Sequence, residues 1–110
     1  MIITLPSLFK NDQYIARISD YIVEQMRHEM KATHQEKTYW VSGAGLEDEA
    51  LVDLFTTIKA NQNFYITEEG KLIIVFDEHE VAPGYMGVIE FEIPTKILAD
   101  VLVSNEYIRD

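Results

Sequence analysis

Three histidines, His28, His34 and His79, are the side chains best suited to move protons or hold a metal near neutral pH. No two of them have the i, i+4 spacing of a helical metal pair, and there is no HExxH. The run DEHE (77–80) could chelate a cation weakly, but four consecutive charged residues read first as a solvated loop, and no metal is assigned. The serines are Ser7, Ser19, Ser42 and Ser104. SGAG (42–45) lacks the GxSxG order of a nucleophile elbow and the GK[ST] ending of a phosphate loop, so it reads as a turn before a helix. The 19 carboxylates are so numerous that any fold would bring some pairs close, so spacing selects no general acid and base. With no cysteine, disulfides, thiolate chemistry and cysteine-based zinc sites are excluded. No catalytic residue and no cofactor are expected.

One stretch has a different character. DEHEVAPGYMG (77–87) places Pro83, Tyr85 and Met86 between two strand-like runs. As a hairpin connection it exceeds the usual two to five residues, and long ordered loops often serve recognition. Pro83 stiffens it, while Gly84 and Gly87 permit sharp bends. Two placements are open. Tyr85 and Met86 are displayed at a constrained tip, or they fold back over the sheet as most apolar loop residues do.

The flanking elements follow from hydrophobic period. IITL (2–5) is a short β-prone run ended by Pro6. Over 11–34, the apolar residues Tyr14, Ile15, Ile18, Tyr21, Ile22, Met26 and Met30 form one stripe of a long helix, capped by Asn11 or Asp12. Residues 34–45 read as a loop with a short extended piece. LEDEALVDLFTTIKA (46–60) has helical period again, with acidic residues in its first turn. NFYIT (63–67), KLIIVF (71–76) and VIEFEI (88–93) read as strands, the second apolar on both faces as a central strand would be. Pro94 and Thr95 then open a short final helix, KILADVLV. The expectation is one α+β domain over 1–110: an antiparallel meander of about three strands plus a short N-terminal strand. A long, a second and a C-terminal helix pack mainly on one face. That leaves the second sheet face to be covered by residues 2–5 and 38–41, or by a neighbouring domain.

The net charge is −10, from 19 acidic and 9 basic side chains, concentrated in residues 61–110 with 10 acidic and 3 basic. Such a surface repels phosphate backbones and anionic membranes, so nucleic acid is excluded as a partner. It serves solubility or attracts a cationic partner. No apolar run approaches a membrane span, and the first residues read as folded sequence of a domain excised from a longer chain.

NFYITEEGKLIIVFDEHEVAPGYMGVIEFEIPTKIL (63–98) resembles the signature of a bacterial extracytoplasmic domain family, in which NFYIT and a strand precede EIAP and then EF.IP. TLPSLFKNDQYIARISDYIVEQM (4–26) is similar to the family's opening, an LxxLF segment before a long helix. His79 departs from the aromatic residue often found before EIAP. The family forms the C-terminal domain of RsiV-type anti-sigma factors and occurs beside the catalytic domain of PdaC-type polysaccharide deacetylases. The resemblance implies a non-catalytic sensor domain on the bacterial cell surface, anchored through an N-terminal membrane helix outside these residues. It implies lysozyme as the bound partner, and by analogy the loop is expected to meet it through Pro83, Tyr85 and Met86, with Asp77, Glu78 and Glu80 at the rim. The alternative it leaves is a wall module binding peptidoglycan glycan or peptide beside a deacetylase.

Overall fold

The structure is a computed structural model and describes residues 3–33, 36–43 and 53–109. Along Gln13–Ala32 (α1), Tyr14, Ile18, Ile22, Met26 and Met30 recur every fourth residue and are all buried. Each four-residue step turns the stripe by about 40° around the helix, so it winds along the sheet it packs on. Asn11 starts the helix: its Oδ1 accepts the Gln13 N–H at 2.9 Å, while Asp12, in the cap position, makes no side-chain bond.

The sheet is a meander of Phe64–Ile66 (β1), Leu72–Phe76 (β2) and Ile89–Ile93 (β3), with β2 central and both pairings antiparallel. The register sets Leu72, Ile74 and Phe76 opposite Ile93, Phe91 and Ile89, and these six form the buried face. The other face carries Tyr65, Ile73, Val75, Glu90 and Glu92. Residues 38–41 do not cover it. The Tyr39 ring meets Phe91 on the core side, with centroids 5.8 Å apart, and Leu5 also joins the core. The second face shields itself. Tyr65 on β1 reaches across β2 and donates its hydroxyl to Glu90 Oε1 on β3 at 2.8 Å, and Ile73 between them is only 7% exposed.

Three expected elements take other forms. Residues 53–59 lack helical structure, and the rest of that expected helix, 46–52, lies outside the described residues. The Phe55 N–H donates to the Trp40 carbonyl at 2.7 Å and the Ile58 N–H to Ser19 Oγ at 2.9 Å. These are two amides that a helix would use internally, so tertiary partners override the period. Ser19 itself is buried on α1 and donates to the Ile15 carbonyl at 2.5 Å, so its hydroxyl is satisfied on both sides.

The final helix is instead two 3₁₀ turns, Thr95–Ile97 and Ala99–Val101. Arg17 takes the Ile97 carbonyl at 3.2 Å and pairs with the Asp100 carboxylate, and the Val101 N–H closes on Leu98 instead. That pairing, chiefly its hydrogen bond, holds the Asp100 carboxyl below its usual range. Residues 3–5 form no strand. They lead into a 3₁₀ turn at Pro6–Leu8, and pairing begins at Phe9, which bridges Leu102.

Candidate partner-binding surface

The connection from β2 to β3 starts from a fixed point. Phe76 is 1% exposed and meets Phe55 and Phe91 edge-on, at 5.3 and 6.3 Å between centroids. Residues 77–80 then close on themselves. The Glu80 N–H donates to the Asp77 carbonyl, and the Asp77 N–H donates to Glu80 Oε1, both at 3.0 Å. The second Glu80 oxygen accepts from the buried Gln62 amide at 3.4 Å, and that amide also donates to the Val75 carbonyl at 2.9 Å.

His79 adopts φ 66°, the left-handed region that non-glycine residues seldom enter. Its ring lies against Gly84, where a Cβ would fall 2.5 Å from Nε2. Val81 and Ala82 are buried, and the Val81 carbonyl accepts the Trp40 N–H at 2.7 Å. Gly84–Met86 makes a 3₁₀ turn, closed by Met86 N–H to Pro83 and Gly87 N–H to Gly84, each at 3.0 Å. Gly87, at φ 66° and ψ −152°, occupies a region that is essentially glycine-only.

The loop leans on residues 36–41. This segment alternates. Lys37 and Tyr39 face α1, where Lys37 Nζ and the Tyr39 hydroxyl both reach Glu29 Oε1, at 2.9 and 3.1 Å. Glu36 and Thr38 face the loop. The Tyr85 hydroxyl lies 2.8 Å from Thr38 Oγ1 and 3.2 Å from the Glu36 carbonyl oxygen. A carbonyl only accepts, so with both bonds made the phenol proton goes to Glu36 and the threonine hydroxyl donates to the phenol.

The structure therefore divides the residues singled out from sequence. Tyr85 is 68% exposed with its hydroxyl tied back, so it offers the ring and not the tip. Met86 is half-buried and packs against the core, and Pro83 is half-buried. Asp77 and Glu78 are exposed at the start of the loop, whereas Glu80 turns its carboxylate inward to hold the loop. The supports Glu36, Thr38 and Gln62 escaped the sequence reading. No sequence signal marked them, since nothing in the sequence names the partner of a short extended piece such as 36–41.

Burial, then the Glu29 charge and its hydrogen bond, push the Tyr39 phenol far above its ordinary value. A phenol raised on folding contributes stability that is intact below its unfolded value, about 10, and is lost as pH rises past it. Denaturant titrations between about pH 8 and 11 should show stability falling above about pH 10. In Tyr39→Phe that slope should shrink, after a loss of about 1 kcal/mol at neutral pH for the missing hydrogen bond. An unchanged slope in the variant would place the alkaline sensitivity elsewhere.

Among the described residues, no three histidine or carboxylate side chains are grouped to hold a metal ion, and no helix is long and apolar enough to cross a membrane. Fold and surface together define a small α+β domain with a braced β2–β3 loop. The chain belongs to the family described as "Protein of unknown function (DUF3298)", whose model matches residues 6–96. It is 50% identical over 109 residues to the anti-sigma-V factor RsiV of Bacillus subtilis (strain 168). That match covers 99% of this chain and 36% of the relative, so the chain spans about a third of that protein's length. A crystal structure of a DUF3298 family member from Bacteroides fragilis superposes with a TM-score of 0.51 at 20% identity, over 94% of this chain and 36% of that one. At that identity the likeness concerns the fold alone.

Proposed function

We propose that this chain is an extracytoplasmic, non-catalytic binding domain of an anti-sigma factor system, held at the cell surface by a membrane anchor outside these residues, and that its partner is a basic lysozyme. The observation that carries this reading is the Tyr85 ring, 68% exposed on a loop whose start is closed by Glu80 and whose tip is held by Thr38, with Asp77 and Glu78 exposed in the same loop. Exposed aromatic side chains of low conformational freedom are the usual anchors of protein interfaces. The net charge of −10 favours encounter with a cationic partner. The 50% identity to an anti-sigma factor supports the same assignment. A glycan module would be expected to align several aromatics. Here the two exposed tyrosines, Tyr65 and Tyr85, sit on different elements, the first on β1 and the second on the β2–β3 loop.

Isothermal titration of the chain with a basic lysozyme at low salt should give saturable binding that weakens as salt is raised through the physiological range. No binding at high micromolar concentration would remove lysozyme as the partner.

A further inference from the structure

We infer that Thr38 is a positioning residue for recognition: with the Glu36 carbonyl it latches the Tyr85 hydroxyl, so that the partner meets the face of the ring and never its oxygen. The inference rests on the binding role proposed above for the loop. Its basis is geometric. Among the described residues Tyr85 is the most exposed of the large apolar and aromatic side chains, yet its phenolic oxygen is engaged within the domain, at 2.8 and 3.2 Å. The groups it engages are themselves held. Lys37 and Tyr39, on either side of Thr38, are fastened to Glu29 of α1, and the Trp40 N–H is fastened to Val81 at the root of the same loop. The 3₁₀ turn at Gly84–Met86, with flexible glycine at both ends, would otherwise leave the ring free to rotate. Two bonds to a fixed strut replace that freedom with one orientation.

Orientation matters because apparent affinity scales with the fraction of molecules already in the competent conformation. The latch raises that fraction without touching the partner. A ring presented by its face suits a flat apolar or CH-rich surface on the partner, with cationic groups at its border meeting Asp77 and Glu78.

The test is a double-mutant cycle on lysozyme binding with Thr38→Val and Tyr85→Phe. Thr38 is only half-buried and Tyr85→Phe keeps the ring, so both variants should fold. Thr38→Val removes one of the two bonds and should weaken binding by about 2- to 10-fold, the range of one ordinary hydrogen bond, and Tyr85→Phe, which removes both, by at least as much. The double variant should be no weaker than Tyr85→Phe alone, because that change already breaks the Thr38 contact. Thr38→Ser, which keeps the hydroxyl, should restore binding. If Tyr85→Phe weakens binding while Thr38→Val does not, the oxygen meets the partner and the latch is wrong.

A readout without partner separates this inference from the lysozyme assignment. Amide hydrogen exchange at Met86 and Gly87 should quicken in both variants relative to the parent chain. Faster exchange in a chain that binds no lysozyme would keep the latch and discard the partner. Unchanged exchange would overturn the latch whatever binds.

Discussion

Phe76→Ala should lower the unfolding free energy by about 3–5 kcal/mol, the usual cost of emptying a buried aromatic site. For a domain of ordinary stability, about 5–15 kcal/mol, that is a large share of the whole. The side chain is 1% exposed, and its neighbours leave little room for collapse. Phe55 comes from the irregular segment 53–59, Phe91 from β3, and Tyr39 follows behind Phe91 from the 36–41 strut. Four rings from four separate parts of the chain thus share one contact chain, and Phe76 is its centre. No single element can move inward to fill the gap without leaving its own hydrogen bonds. These are Phe55 to Trp40, the β2–β3 ladder at Ile89, and Tyr39 to Glu29. Urea denaturation of the variant reads the effect directly as a shift in midpoint at constant slope. A loss below about 1 kcal/mol would mean that the aromatic cluster is looser than its geometry indicates. Because Phe76 directly precedes the loop, the variant should also weaken whatever binding the loop provides, through loss of its fixed root.

The legible parts of the fold were those whose pattern is settled within one element. The five-residue stripe of α1, spaced by four, is a property of its own sequence, and so is the strict alternation of Ile89, Phe91 and Ile93. The order of the meander followed from β2 being apolar on both faces, which suits only the central position. What misled was periodicity without local anchoring. Residues 53–59 carry apolar side chains at helical spacing, and Phe55 and Ile58 are buried as that spacing suggests. Their amides, however, are claimed by Trp40 and Ser19, partners that no local pattern reveals. The C-terminal helix failed for a similar reason, since Arg17, eighty residues earlier, captures the Ile97 carbonyl. The loop was legible in kind but not in detail. Sequence singled out Tyr85 and Met86 together, and the structure separates them, one outward and one into the core. Glu80 looks like its acidic neighbours in sequence, yet one of its oxygens closes the turn on the Asp77 N–H and the other accepts from Gln62.

That separation sets the expected result of Tyr85→Ala. If the loop binds through the ring, the variant should lose about 1–3 kcal/mol of affinity for lysozyme, a factor of roughly ten to a hundred or more, with little change in stability. Little stability is at stake because the ring is mostly solvent-exposed, and its two hydrogen bonds join groups that water can serve equally well. Met86→Ala should behave in the opposite sense, costing stability first, because that side chain packs against the core. The pair therefore distinguishes contact from scaffold within two adjacent residues. Titration calorimetry and thermal denaturation on both variants supply the two axes. Should Tyr85→Ala instead unfold the domain while Met86→Ala spares it, the ring would be a structural strut and not a recognition surface. Salt dependence provides the internal check. The exposed Asp77 and Glu78 act at longer range than the ring, so raising ionic strength should weaken the parent and Tyr85→Ala by the same factor. A salt slope that vanishes along with the ring would mean that the aromatic contact and the charge steering are not separate contributions.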